Sequence, residues 1–318
     1  MPGVASCFTP SPCRFPRDPV SKPPFGECAS LGEREPFWER EKRTWPNREM
    51  SRFVHAAGIR WHVQQAGSGP ALFLLHGTGA STHSFRDLLP ALARDFTVVA
   101  ADLPGHAFTE SVRAAGYSLQ GMSDSLAVLL DTLQVRPSRC VGHSAGAAVL
   151  CRMALDGRIA PRRIVSINGA LLPLAGAAGM LFSPIAKLLA ASALVPRLIA
   201  WRAGDRAAVE RVIAGTGSKL DAVGLDLYAR LVRDPDHIAG ALGMMGNWDL
   251  QSLARDLPRL QIPVSLIVGQ NDRTVPPQQA SRLKDLLQNA SLHSLSGLGH
   301  LAHEEAPALV ASLVSAEH

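Results

Sequence analysis

Short, unbroken apolar runs alternate with longer stretches of helical periodicity over most of this chain. The runs fall at 71–75 (Ala-Leu-Phe-Leu-Leu), 96–101 (Phe-Thr-Val-Val-Ala-Ala), 138–142, 163–167 (Arg-Ile-Val-Ser-Ile) and 263–268 (Pro-Val-Ser-Leu-Ile-Val). Runs this short, without polar alternation, suit strands covered on both faces, as in a parallel sheet between helices. Between them, 82–93, 118–134, 145–156 and 277–288 carry helical spacing. The segment Arg52–Gln65, with Ala-Ala-Gly at its centre, predicts a β-hairpin that starts the sheet. From about 172 to 250 the alternation stops, and helical segments such as 185–201 and 219–233 follow one another without a strand. The pattern predicts an α/β fold with a mostly parallel central sheet flanked by helices. Its core spans 37–172 and 251–318, and a helical cap at 173–250 is inserted after the sixth strand. Residues 1–36, rich in proline and small polar residues, predict a disordered extension. The charged lead-in from Phe37 to Met50, around Trp38 and Trp45, is expected to lie on the domain surface.

Composition narrows the function classes. With 47% hydrophobic and 19% charged residues among 318, the chain is globular and can bury a large core. The net charge of +5 is mild, mostly arginine, and forms no lysine-rich tail or basic stripe, so nucleic acid is not an expected partner. Five cysteines (Cys7, Cys13, Cys28, Cys140 and Cys151) without CxxC spacing argue against a disulfide framework and against structural zinc. The first thirty residues lack the apolar run of a signal peptide, so the expected compartment is the cytoplasm. Ile164–Ala186 carries no charge, but its prolines, glycines and Asn168 favour a buried strand running into an apolar lid over a membrane span.

The candidate chemistry begins at Gly142-His143-Ser144-Ala145-Gly146, which follows a predicted strand and opens a helix of small residues. A nucleophile on so sharp a turn needs small neighbours for helix and strand to pack closely. A serine hydroxyl also needs a base, and the base an orienting carboxylate. Asp272 lies just past the 263–268 strand, and His300 lies in a glycine-rich loop before a helix starting near Leu301. Singly, each has an ordinary reading: a serine in a strand–helix turn, a loop-capping aspartate, a helix N-terminal histidine. In the order Ser144, Asp272, His300, each near a strand end, they form a candidate triad. His76-Gly77-Thr78-Gly79 follows the 71–75 strand, and the Thr78 and Ala145 N–H groups are the candidate oxyanion donors. His143 is expected to shape the turn, His303 and Glu304 to stabilise a helix start, and His106 to line the pocket or sit on a surface loop. His300-Leu301-Ala302-His303-Glu304 is not an HExxH motif and has no third ligand, so no metal is expected, nor any other cofactor.

HGTG, DLPGH (102–106), GHSAG, VGQND (268–272) and GHLAHEEAP (299–307), in this order, resemble the α/β-hydrolase superfamily over about 51–318. Ala107 replaces the glycine that many members carry after DLPGH. Related epoxide hydrolases and dehalogenases carry an aspartate at the elbow, so Ser144 argues against those activities. Trp45-Pro46-Asn47-Arg48, Arg60-Trp61-His62-Val63-Gln64, the stretch 76–84 and Ser144-Ala145-Gly146-Ala147 are similar to the magnesium-chelatase accessory proteins of bacteriochlorophyll biosynthesis. This closer resemblance starts near Phe37, so 1–36 fall outside it. It implies a cytoplasmic protein linked to magnesium chelatase subunits and to a small hydrophobic or tetrapyrrole-related ligand. Leu181-Phe182, Ile185, Leu188-Leu189, Leu194-Val195 and Leu198-Ile199 suit an apolar pocket roof, a lid resting on a membrane surface, or the lid's own core. Three functions fit: a serine hydrolase serving the chelatase, a non-catalytic porphyrin-holding or chelatase-supporting protein, and a general carboxylesterase for apolar substrates.

Overall fold

The computed structural model describes residues 36–173, 192, 194–202 and 205–316. The predicted hairpin forms between β1 (Ser51–Ala56) and β2 (Ile59–Ala66), closed by Ala57 and Gly58 at φ 53° and 72°. Two successive positive φ values match a primed turn, whose twist suits the strands it joins. The remaining strands are β3 (Ala71–Leu75), β4 (Thr97–Ala101), β5 (Arg139–His143), β6 (Arg163–Ile167), β7 (Val264–Gly269) and β8 (Ala290–Leu295). They form one eight-stranded sheet in the order β1-β2-β4-β3-β5-β6-β7-β8. β2 runs antiparallel to both its neighbours, and every other pairing is parallel.

The apolar runs are continuous because both faces of the sheet are covered. Leu72, Leu74, Val98, Ala100, Val141 and Val165 point to one side. There they meet α2 (Leu88–Leu92), α11 (Ala302–Glu305) and α12 (Pro307–Ser315). Phe73, Leu75, Val99, Ala101 and Cys140 point the other way, onto α3 (Leu119–Thr132) and α4 (Ala145–Leu155). Neighbouring residues of one strand thus serve different layers, as the period of two requires.

Between β6 and β7 come α5 (Leu194–Arg202), α6 (Arg206–Gly215), α7 (Ala222–Val232), α8 (Pro235–Asn247) and α9 (Gln251–Asp256), with no strand among the described residues. Of the proposed pocket roof, Leu181, Phe182, Ile185, Leu188 and Leu189 lie outside the described residues, as do residues 1–35 of the expected extension. No helix of the described residues is long and apolar enough to cross a membrane.

Local departures from the expected pattern are few. The lead-in, which begins with α1 (Phe37–Glu41), lies on the surface as expected, except at Trp45. Trp45 is buried, and Trp38 and Trp45 both pack against Phe108, burying aromatic area that charge patterning conceals. The helix expected over 82–93 is split into a 3-10 turn at Thr82–Phe85 and α2. Pro90 has no N–H to continue a longer helix, and its ring would clash with the carbonyl four residues back. The strand β8 carries Ser, His and Leu on a half-exposed edge, so no apolar run announces it. Helix α10 (Gln278–Leu286) falls within the expected 277–288.

Candidate active site

Ser144 stands between β5 and α4 at φ 51°, ψ −118°, outside the regions an L-residue prefers. Such strain persists only where surrounding bonds over-determine it. Here the Ser144 N–H donates to the Ile167 carbonyl at 3.0 Å, and the Ala170 N–H donates to the Ser144 carbonyl at 3.1 Å. Both bonds come from the end of β6, so the neighbouring strand clamps the turn from both sides. A Cβ on Gly146 would stand 2.3 Å from the Leu75 carbonyl oxygen, so α4 reaches β3 only because that position has no side chain. The Ser144 Cβ lies 2.9 Å from where a Cβ on Gly77 would stand, which puts the His76–Gly79 loop directly against the serine turn.

Asp272 and His300 come together. His300 Nδ1–H donates to Asp272 Oδ2 at 2.8 Å, because an ionised carboxylate can only accept. The imidazole Nε2 is thereby left as its basic nitrogen. Asp272 Oδ1 accepts from the Thr274 and Val275 N–H groups at 2.7 and 2.9 Å, which fixes the carboxylate in the loop after β7. Both residues are buried. Ser144 Oγ makes no hydrogen bond among the described residues, to His300 or to any other group. Its chain neighbour supplies the link instead: His143 Nε2–H donates to the His300 carbonyl at 2.9 Å, and the two rings lie 4.8 Å apart. His143 therefore does shape the turn, by tying it to the His300 loop.

No hydrogen bond among the described residues engages the Thr78 or Ala145 N–H. Both remain available as donors beside Ser144. The Thr78 loop is held from above by α8. Thr78 Oγ1 donates to Met244 Sδ at 3.2 Å, and His237 Nε2–H donates to the Gly79 carbonyl at 3.2 Å while its Nδ1 accepts from the Ala107 N–H at 3.0 Å. His76 binds in the same way, donating to the Gly77 carbonyl and accepting from the Leu103 N–H, both at 2.8 Å. Burial pushes His76 and His237 down to about 4 and His106 and His303 down to about 3, so near neutral pH these rings are uncharged. In His76 and His237 one nitrogen donates and the other accepts, which matches that state. No group of three or more His, Cys, Asp or Glu side chains that could hold a metal occurs among the described residues.

His106 is fully buried, so the surface-loop alternative falls away. His303 and Glu304 stand in the first turn of α11, where the acidic Glu304 is expected, and both are buried. Glu304 pairs with Arg86 and accepts from the Tyr228 hydroxyl at 2.8 Å. Burial pushes its carboxyl up, to about 7, against the pull of both donors. Glu305, beside it, accepts from the Gly299 N–H at 2.9 Å and so holds the loop that carries His300.

Two further residues emerge only in three dimensions. Asn168, at φ 45° just past β6, donates through Nδ2 to the Gly299 and His300 carbonyls at 2.9 and 2.8 Å. Its Oδ1 accepts from the Gly269 N–H at 2.8 Å, so one amide joins the ends of β6 and β7 to the His300 loop. Asp102, at the end of β4, accepts from His62 Nδ1 and from the Thr82 N–H, both at 2.7 Å. Burial alone would raise its carboxyl; the facing His62 and these hydrogen bonds hold it down at about 2.

Comparison with known proteins gives the same architecture. Residues 70–307 match the alpha/beta hydrolase fold family. The magnesium-chelatase 30 kDa subunit of Rhodobacter capsulatus is 38% identical over 264 residues, covering 82% of this chain and 92% of that protein. The 2-hydroxymuconate semialdehyde hydrolase of Pseudomonas sp. strain CF600 is 28% identical over 281 residues, covering 84% and 93%. Among solved structures, an α/β hydrolase fold protein from Burkholderia ambifaria superposes with a TM-score of 0.71 at 25% identity, over 84% of this chain and 97% of that one. With the sheet order, the strained turn after β5 and these matches in agreement, the chain belongs to the α/β-hydrolase fold family.

Proposed function

We propose that this protein is a serine hydrolase of an ester-like bond, acting as an accessory to magnesium chelatase in bacteriochlorophyll biosynthesis. The observation that carries the chemistry is the strained turn at Ser144, tied through His143 to a His300 that is itself bonded to Asp272. Ser144 Oγ attacks the carbonyl carbon while His300 Nε2 takes its proton. Asp272 holds the ring and stabilises the imidazolium. The Thr78 and Ala145 N–H groups receive the charge that develops on the carbonyl oxygen. Collapse of the tetrahedral intermediate expels the alcohol, which takes the proton from His300. Water then releases the acyl group by the same route. The hydrogen bond from Ser144 to His300 is expected to form in the reactive complex, where such bonds tighten.

The link to chelatase rests on the Rhodobacter relative, matched along nearly its whole length. The same match favours a second reading, in which the protein holds a tetrapyrrole or supports chelatase subunits without using its serine. The expected setting is the cytoplasm, at the periphery of a membrane. Complementation separates the two readings. In a strain lacking its own copy, Ser144→Ala is expected to fail to restore magnesium-porphyrin formation where wild type succeeds. Equal restoration by both would remove hydrolysis from the pathway role. With p-nitrophenyl esters of increasing chain length, wild type is expected to turn over and Ser144→Ala to lose at least about 10³-fold in kcat.

A further inference from the structure

Large apolar side chains are exposed at seven positions among the described residues, and four of them lie on the two consecutive helices α5 and α6. Leu194, Leu198 and Trp201 are 72%, 57% and 77% exposed, and Val212 on α6 is 68% exposed. The first three recur at i, i+4 and i+7, which places them along one outward face of α5. The inward side of α5 is spent on Pro196 and Ala200.

The charges around this face are mostly of one sign. Arg197, Arg202, Arg206 and Arg211 are exposed, and none makes an ion pair among the described residues. Asp205 and Glu210 are the acidic groups beside them, and Asp205 is occupied in capping α6 through the Ala207 N–H. Leu198 and Trp201 share one open groove of about 720 Å³ with Arg202 and Arg211. A pocket for a small ligand encloses most of that ligand's surface. Here the apolar groups point out of the protein, so a small molecule would leave most of itself, and most of them, wet. An extended surface that is apolar beneath and anionic at its rim covers them all.

We propose that α5 and α6 dock this protein onto an anionic lipid bilayer, with Leu194, Leu198, Trp201 and Val212 entering the headgroup region and the four arginines meeting lipid phosphates. The inward side of the same helices gives the contact a purpose. Val209 and Ile213 of α6 pack in one cluster with Ala80 and Leu301, which follow the Thr78–Gly79 turn and His300 directly. The loops of the candidate site thus pack against α6, which would bring a substrate that partitions into lipid within reach. This proposal does not depend on Ser144 being reactive.

Vesicle sedimentation of the full-length protein tests it. Wild type is expected to sediment with phosphatidylcholine vesicles containing 30% phosphatidylglycerol, and to be released as salt is raised from about 0.05 to 0.5 M. The pair Leu198→Asp and Trp201→Asp, and separately Arg202→Glu with Arg211→Glu, should each weaken binding at least about tenfold. Val128→Asp, which alters an exposed apolar residue on α3, should bind as wild type does. All the changed side chains are exposed, so unchanged thermal melts are expected and would show that each variant folds. Wild type that stays in the supernatant overturns the proposal, as does binding undiminished in both double variants or equal on pure phosphatidylcholine. A dimer lost in the same variants, without vesicle binding, assigns the face to a second copy and overturns it too.

Discussion

Asn168 and Asp102 hold segments around the candidate site through hydrogen bonds to distant parts of the chain. Truncating Asn168 to alanine would leave the buried Gly269 N–H without its acceptor, release the carbonyls of Gly299 and His300, and place alanine at a positive φ. The expected cost is about 2 to 4 kcal/mol of stability, measured by denaturant unfolding. At temperatures where the variant stays folded, ester turnover should fall while KM moves little, because His300 loses its anchor. Asp102 sets an acid limit. Its folded pKa of about 2 lies below the ordinary 3.8, so its stabilisation is complete above the ordinary value and disappears as pH falls through about 2. That window is worth about 2 kcal/mol. Asp102→Asn should be less stable at pH 7 and show a flatter loss between pH 4 and 2, read from unfolding at each pH. The sequence hinted at both residues and explained neither. Asn168 was visible as a polar break after an apolar strand, and Asp102 as the first letter of DLPGH. Their partners at 299–300, 269, 62 and 82 are distant in the chain, and spacing carries no information about such contacts.

The elements that carry chemistry were the easiest to foresee. The strands β3 to β7 and the turn after β5 are marked by unbroken apolar runs and by glycine and alanine where backbones meet, and both signals are local. The failures also have local causes. The edge strand β8 is half wet and therefore lacks an apolar run, while Pro90, in the first turn of α2, cannot sit in a helix that runs unbroken from Thr82. Helix α8 holds the Thr78 loop through His237 and Met244 but was hidden in a run of helices with no motif. Its close seat depends on Gly240, where a Cβ would stand 2.0 Å from the Gly105 carbonyl oxygen. Gly240→Ala should therefore lift α8 from the Gly105 turn. The expected result is a loss of about 1 to 3 kcal/mol in stability, with turnover reduced further than that loss alone explains. Ala239→Gly in the same helix is the control. It should cost only about 1 kcal/mol, with turnover unchanged once the protein is folded.

The sheet, its two helical layers and the helices between β6 and β7 form a scaffold common to many chemistries, so the fold alone does not choose one. The choice falls to a few atoms at the carboxyl ends of β5 and β7 and in the loop after β8. On the proposed reading, the strained Ser144, the His300 ring held by Asp272 and the Thr78 and Ala145 N–H groups act together there. If Ser144 is activated as this arrangement requires, it should react with a fluorophosphonate, which mimics an acyl substrate and traps the serine oxygen. Mass spectrometry of the treated, folded protein should find one adduct per chain, on Ser144. The adduct should be absent in Ser144→Ala and should form at least about 10²-fold more slowly in His300→Ala. Folded wild type that stays unlabelled, or labelling that persists in Ser144→Ala, would contradict the assignment of Ser144 as nucleophile.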